Sequence, residues 1–216
     1  MKKSIWFAVT LGGVLTTAAV QAENTWNTKV GMDYWWATNK VDEVKYQGDD
    51  PISAYVDFSH SLPYIPNFKL RYTQIDNSAI SFNNIDYIAY YPALHTDSVA
   101  FNIGISASQF QSGEYRQDGI GSSQSFNEVA WALYADGRLI VPGTQFSLIG
   151  DMQFGGTGDN STADVMVGLD YVFKLDTVDL SLRGGYRVMD YSFDYFTGEP
   201  VEVREQGFFT GVELNF

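Results

Sequence analysis

The sequence predicts an all-β chain, a transmembrane antiparallel up-and-down β-barrel of ten strands, with eight as the alternative. Three observations predict it. Apolar residues alternate with period two along almost the whole chain, the mark of strands with two unlike faces. Candidate strands run to about 9 to 12 residues, where soluble sheets average about 5 or 6 and a tilted strand crossing a bilayer needs about 9 to 11. The connections alternate between short and long.

The first segment reads as a delivery signal. Met1-Lys2-Lys3 is basic, Ile5 to Val20 carries no charge, and Val20-Gln21-Ala22 ends in small residues before Glu23. That is the layout of a Sec signal peptide over 1–22, leaving 23–216 as the barrel domain. No cysteine stands at the junction, so a lipid anchor there is excluded. No later stretch is apolar for the roughly 18 residues a membrane helix needs. A closed barrel is the other way to satisfy every backbone polar group in lipid.

The strands follow in order. Val30, Met32, Tyr34 and Trp36 oppose Lys29, Gly31, Asp33 and Trp35. Ile52, Ala54, Val56 and Phe58 oppose Ser53, Tyr55, Asp57 and Ser59. Phe68, Leu70 and Tyr72 oppose Lys69, Arg71 and Thr73. Asn84 to Tyr91 is apolar on both faces and is the weakest strand. Val99, Phe101, Ile103, Ile105 and Ala107 alternate with Ala100, Asn102, Gly104, Ser106 and Ser108. Val129, Trp131, Leu133 and Ala135 oppose Glu128, Ala130, Ala132 and Tyr134. Phe146, Leu148, Gly150, Met152 and Phe154 oppose Gln145, Ser147, Asp151 and Gln153. Val165, Val167, Leu169, Tyr171 and Phe173 oppose Asp164, Gly168 and Asp170. Val178, Leu180, Leu182, Tyr186 and Val188 oppose Asp179, Ser181, Arg183 and Arg187. Phe208, Val212, Leu214 and Phe216 oppose Gly211, Glu213 and Asn215.

Between them, Ser61 to Asn67, Pro92 to Asp97, Pro142 to Thr144 and Lys174 to Thr177 are short and mostly carry proline. Asn39 to Asp50, Asn77 to Asn83, Gln109 to Asn127, Gly155 to Ser161 and Phe193 to Glu205 are longer and polar. Short periplasmic turns and longer extracellular loops are the outer-membrane pattern, and an even strand count leaves both termini periplasmic.

Alternation alone does not say which face meets the core. Charges decide it: Asp33, Asp57, Lys69, Arg71, Asp151, Asp170, Arg183, Arg187 and Glu213 share the polar face in mid-strand. Lining a narrow lumen, these groups are expected to pair into a salt-bridged, largely closed plug, since a lone buried charge is costly. Aromatic residues gather near strand ends, at the level where lipid headgroups sit.

Several segments carry a family resemblance over nearly all of residues 23–216. They are Gly31-Met32-Asp33-Tyr34-Trp35-Trp36, Ala54 to His60, Leu62-Pro63-Tyr64-Ile65-Pro66-Asn67-Phe68-Lys69-Leu70-Arg71-Tyr72-Thr73, and Gly184-Gly185-Tyr186-Arg187. The proline pair followed by Lys-Leu-Arg-Tyr is the most specific. The chain resembles an uncharacterised family of small Gram-negative outer-membrane β-barrel proteins. The resemblance implies a fold and an outer-membrane location, and no activity. The last strand, with Phe208, Val212, Leu214 and terminal Phe216, also resembles the C-terminal signal that the barrel-assembly machinery reads on insertion.

Composition bounds the function. Asp and Glu number 26 against 13 Lys and Arg, a net charge of −13 that disfavours nucleic acid. With no cysteine and only His60 and His95, thiolate chemistry, His-rich metal sites and disulfides are excluded. No cofactor is expected. Small outer-membrane hydrolases and acyltransferases use a histidine near the outer side, and both histidines here fall on periplasmic turns. The outer connections carry Asp42, Glu43, Asp49, Asp50, Glu114, Asp118, Asp159, Asp194, Glu199, Glu202 and Glu205. They are read as a solvated surface, with divalent-cation sharing alongside lipopolysaccharide as the functional alternative. The expectation is a monomeric, non-enzymatic barrel among outer-membrane lipid and lipopolysaccharide, serving envelope integrity or surface interaction. A lipid-modifying enzyme and a narrow channel are the rivals.

Overall fold

In the computed structural model, which describes residues 26–116, 123–158, 160–193 and 201–216, every regular element is a strand. The expected signal peptide lies outside the described residues, as do Asp118, Asp159, Asp194 and Glu199. The strands are β1 (Trp26–Val41), β2 (Val44–Tyr46), β3 (Ile52–His60), β4 (Asn67–Asp76), β5 (Ile80–His95), β6 (Val99–Arg116), β7 (Ser123–Ile140), β8 (Phe146–Thr157), β9 (Asn160–Lys174), β10 (Asp179–Phe193) and β11 (Val201–Asn215). From β3 onward each strand pairs antiparallel with the next, β3 pairs with β1, and β11 returns to β1, with Val212 opposite Met32 and Phe208 opposite Trp36. Ten strands thus close a barrel, and closure leaves no free edge. β2 stands apart as a short flap hydrogen-bonded to the outer end of β1 through Asn39 and Val41.

Period-two alternation turns directly into inside and outside. Ile103, Leu148 and Val167 face outward at 50%, 46% and 58% exposure, while Arg71 and Arg187 face inward at 4% each. A soluble barrel would show the reverse. This belt of exposed aliphatic and aromatic side chains runs unbroken round the barrel and belongs against acyl chains. The C-terminal residues Phe208, Val212, Leu214 and Phe216 all lie on it, along the closing seam.

Strands and connections differ from the sequence reading at the outer end. The expected connections at Asn77 to Asn83 and Gln109 to Asn127 are largely strand: β5 begins at Ile80, β6 runs to Arg116 and β7 starts at Ser123. Strands reach 18 residues, well past the span of a bilayer. The weak candidate at Asn84 to Tyr91 is the middle of β5, a 16-residue strand.

Those extra lengths follow a rule. Outward residues change from apolar to polar at one level: Val188 to Asp190 on β10, Ile85 to Asn83 on β5, Ala107 to Gln109 on β6, Phe208 to Gln206 on β11 and Trp36 to Thr38 on β1. At the same level the inward residues change the other way. On β10 they pass from Arg183 and Arg187 to Met189, Tyr191 and Phe193, and on β5 from Asp86 and Asn84 to Phe82 and Ile80. Above the belt the outer face meets water, so the apolar face turns inward as in a soluble protein.

Lipid contact has a measurable signature. Leu133, mid-belt on β7, is 72% exposed. Leu133→Arg is expected to destabilise the barrel by about 2–4 kcal/mol in bilayers, the cost of a cation at the midplane. Equilibrium unfolding in lipid vesicles measures this; no loss of stability would contradict the outward apolar face.

Candidate functional site: a lumen packed in two layers

The lower layer is ionic. Arg71 on β4 spreads its guanidinium over three carboxylates from three strands. Its Nε reaches Asp86 at 2.9 Å, one terminal nitrogen Asp151 at 3.2 Å, and the other Asp164 at 2.7 Å. Arg187 on β10 grips the same Asp164 in a two-pronged pair, at 2.9 and 2.7 Å. Lys69 donates to Asp151 at 2.7 Å, and the Tyr134 hydroxyl joins that oxygen at 3.1 Å. A planar guanidinium with five donors in a fixed fork suits such a junction, where a lysine offers three donors from a single point.

Nearer the periplasmic end a second group forms. Arg183 reaches Asp33 at 3.2 Å and Glu213 at 3.6 Å, and also donates to the Tyr55 hydroxyl. That hydroxyl donates onward to Glu213 at 2.6 Å. Arg138 bridges Asp170 at 2.8 Å and Glu213 at 3.2 Å. Tyr55 lies where a side chain at Gly31 would stand, so the glycine makes room for the ring to reach across. What remains open among Asp33, Tyr55, Arg71, Asp151 and Arg183 is about 10 Å³, room for one water.

All nine charges singled out in the sequence therefore face the lumen, and eight of them join these ion pairs. Asp57 instead accepts from the Tyr90 hydroxyl. Sequence reasoning missed Asp86, Asp164 and Arg138 as members. Asp164 was visible on the polar face of its strand. Arg138 lies one step of the same alternation beyond Asp136 and two beyond Tyr134. Asp86 was hidden because Ile88 and Tyr90 share its inward face.

The upper layer is aromatic and had no counterpart in the sequence reading. Phe82, Phe110, Phe126, Tyr191 and Phe193 meet inside the projecting end of the barrel, with ring centroids 5.1–6.1 Å apart. Most of these contacts are edge-on or tilted, the favoured geometry. Ile80, Met189 and Val203 complete the packing at 0% exposure. Gly113 leaves the space that the Phe126 ring fills. The signal was in the sequence as alternation of opposite phase, in Ile80-Ser81-Phe82, Tyr191-Ser192-Phe193 and Val201-Glu202-Val203.

Glu205 needs correcting. Assigned to a solvated outer loop, it is fully buried on β11. It lies above the lipid belt, between outward Gln206 and Arg204. Asn77 donates to it at 3.1 Å, and the carboxamide of Asn39, oriented with its nitrogen towards the carboxyl, donates to it as well. Asn77 in turn accepts from the backbone N–H groups of Ala79 and Ile80, so the carboxyl fastens the β4–β5 turn. Burial pushes Glu205 up to about 8, against the weaker opposing pull of the Asn77 hydrogen bond. At the exposed rim Glu43 goes the other way, held down by Lys40 and Arg204.

The histidines stand at the opposite end. His60 closes β3, where its Nδ1 accepts from the Leu62 N–H at 3.2 Å, and His95 closes β5. Among the described residues no group of three or more histidine or acidic side chains is arranged to hold a metal.

No protein-family model and no curated protein matches the chain. Solved structures do. The β domain of the Bordetella autotransporter BrkA superposes with a TM-score of 0.53 at 8% identity, covering 89% of this chain and 99% of that one. Neisserial surface protein A gives 0.43 at 15% identity, over 89% and 97%. The Escherichia coli outer-membrane protease OmpT gives 0.45 at 11%, over 89% and 93%. The likeness is one of fold. Together with the inward charges and the lipid belt, it makes the chain an outer-membrane β-barrel.

Two outcomes test the two layers. Arg71→Leu leaves three carboxylates around an empty centre and is expected to cost about 3–5 kcal/mol, with Arg71→Lys between it and the wild type. Urea unfolding in bilayers reads both. For Glu205 the folded state holds a proton that the unfolded chain releases near its ordinary value of 4.5. Stability is full below that value, falls by about 1.4 kcal/mol per pH unit up to about 8, and then levels off. Glu205→Gln is expected to remove this decline, and unfolding series at several pH values will show whether it does.

Proposed function

We propose that the protein is a closed, non-enzymatic, monomeric outer-membrane barrel that works through its outer surface, in envelope integrity or surface interaction, with lipopolysaccharide around its belt. The observation that carries the reading is the double seal. A narrow barrel that conducts needs a continuous polar path. Here the gap among Asp33, Tyr55, Arg71, Asp151 and Arg183 holds about one water's volume, and an apolar layer of packed rings lies above it. An aromatic cluster of that kind offers a permeating ion no replacement for its hydration shell. The enzyme alternative finds less support, because both histidines sit at the short-turn end, away from outer-leaflet lipid and extracellular peptide.

Planar-bilayer recording of the refolded barrel tests this. No stepwise conductance is expected from the wild type. Phe110→Ala with Phe193→Ala, which empties the ring cluster, is expected to admit at most brief openings because the ionic layer persists. Steady, ion-selective conductance of the wild type would overturn the closed-lumen reading.

A further inference from the structure

The most specific motif of the sequence, the proline-flanked turn joining β3 to β4, plays no part in the lumen. We propose that it is a membrane-interface anchor, seating Leu62, Tyr64 and Ile65 in the headgroup–glycerol layer of the phospholipid leaflet on the periplasmic side. The proposal goes beyond the closed-lumen reading and does not depend on it.

The turn is built to display these side chains. Tyr64 is 94% exposed, with Leu62 at 39% and Ile65 at 49%. Tyr64 also holds a left-handed backbone, φ +66°, which a bulky residue rarely adopts. Pro63 and Pro66 restrict the chain on either side. Three hydrogen bonds fasten it: Leu62 N–H to His60 Nδ1 at 3.2 Å, His60 N–H to Asn67 Oδ1 at 2.9 Å, and the Tyr91 hydroxyl to the Tyr64 carbonyl at 3.0 Å. The Trp26 ring packs edge-on against His60, 5.1 Å away. A rigid turn that holds an aromatic and two aliphatic side chains in water has every energetic reason to find another solvent.

Three observations identify that solvent as lipid. The bond from Tyr91 ties the turn to the lipid-facing side of the barrel, because Tyr91 is an outward residue of β5. Phe58 and Phe68, directly above the turn on β3 and β4, are lipid-facing at 49% and 52%, so the apolar belt runs on into it. Residues 61–66 carry no charge, whereas the β5–β6 and β9–β10 turns carry Asp97 and Asp176. Tyr64 lies only a few residues beyond Phe68, roughly 5–10 Å at the rise of a tilted strand, and the headgroup layer is about 5–7 Å deep on each side of the hydrocarbon. Tyrosine and tryptophan favour that layer, where an apolar ring and a polar tip are both satisfied.

The chain has no cysteine, so one introduced thiol gives clean labelling. Tyr64→Cys, Ile65→Cys and Asp97→Cys are each labelled with an environment-sensitive fluorophore. The full-length barrel is reconstituted into nanodiscs of phosphatidylethanolamine and phosphatidylglycerol, with folding checked by heat-modifiable gel migration. The labels at 64 and 65 are expected to emit to the blue of the label at 97. They should be quenched several-fold less by iodide, and more by headgroup-spin-labelled lipid. Equal iodide quenching at all three positions would overturn the proposal. So would shielding at 64 and 65 that arises only on addition of periplasmic protein, which would mark a protein-docking turn instead. If Tyr64→Cys fails to fold, Ile65→Cys carries the comparison alone.

Discussion

One constraint organises this protein: the solvent outside the barrel wall changes part-way along each strand. Hydrocarbon surrounds the lower part and water the upper part. A strand has two faces and cannot exchange them without breaking register, so the change must be written into the side chains. It is written twice, once on each face and at one height, where β10 passes from Val188 to Asp190 outside and from Arg187 to Met189 inside. The ionic layer, the aromatic layer and the excess strand length all follow from that change.

The interior below the change could in principle have been apolar. Replacing a buried ion cluster by packed hydrophobic residues is often neutral or better for stability. A wall apolar on both faces, however, would read as a continuous hydrophobic run wherever two residues met. Alternating charge keeps every segment too polar to be held as a helix in the wrong membrane. Once those charges are inside, the cost of leaving any one alone enforces pairing. Arg71 is the extreme case, a single guanidinium balancing carboxylates from β5, β8 and β9 and thereby holding far sides of the barrel in register.

Much of this was legible in the residues. Strand number, closure and the direction of the faces followed from alternation, strand length and the placing of charges such as Arg71 and Arg187. The upper half was not legible, for a physical reason. Period-two reading assumes that the apolar face is one face throughout. Phe82, Phe110, Phe126 and Phe193 fall on the face that is polar lower down, so their segments looked like loop. Glu205 was misplaced by the same assumption, since a carboxylate near a predicted loop suggests solvent until the inverted phase is recognised. Asp86 escaped because β5 mixes Ile88 and Tyr90 with polar residues on one face.

The ring cluster beneath the outer connections has a consequence for how such a surface can change. On the closed-lumen reading proposed above, the segments that join the strands at the cell exterior carry no duty as a cork. Under that proposal their length and chemistry can drift, or be replaced outright, without the envelope springing a leak. Variation in what the cell shows its surroundings would then be uncoupled from the integrity of its wall.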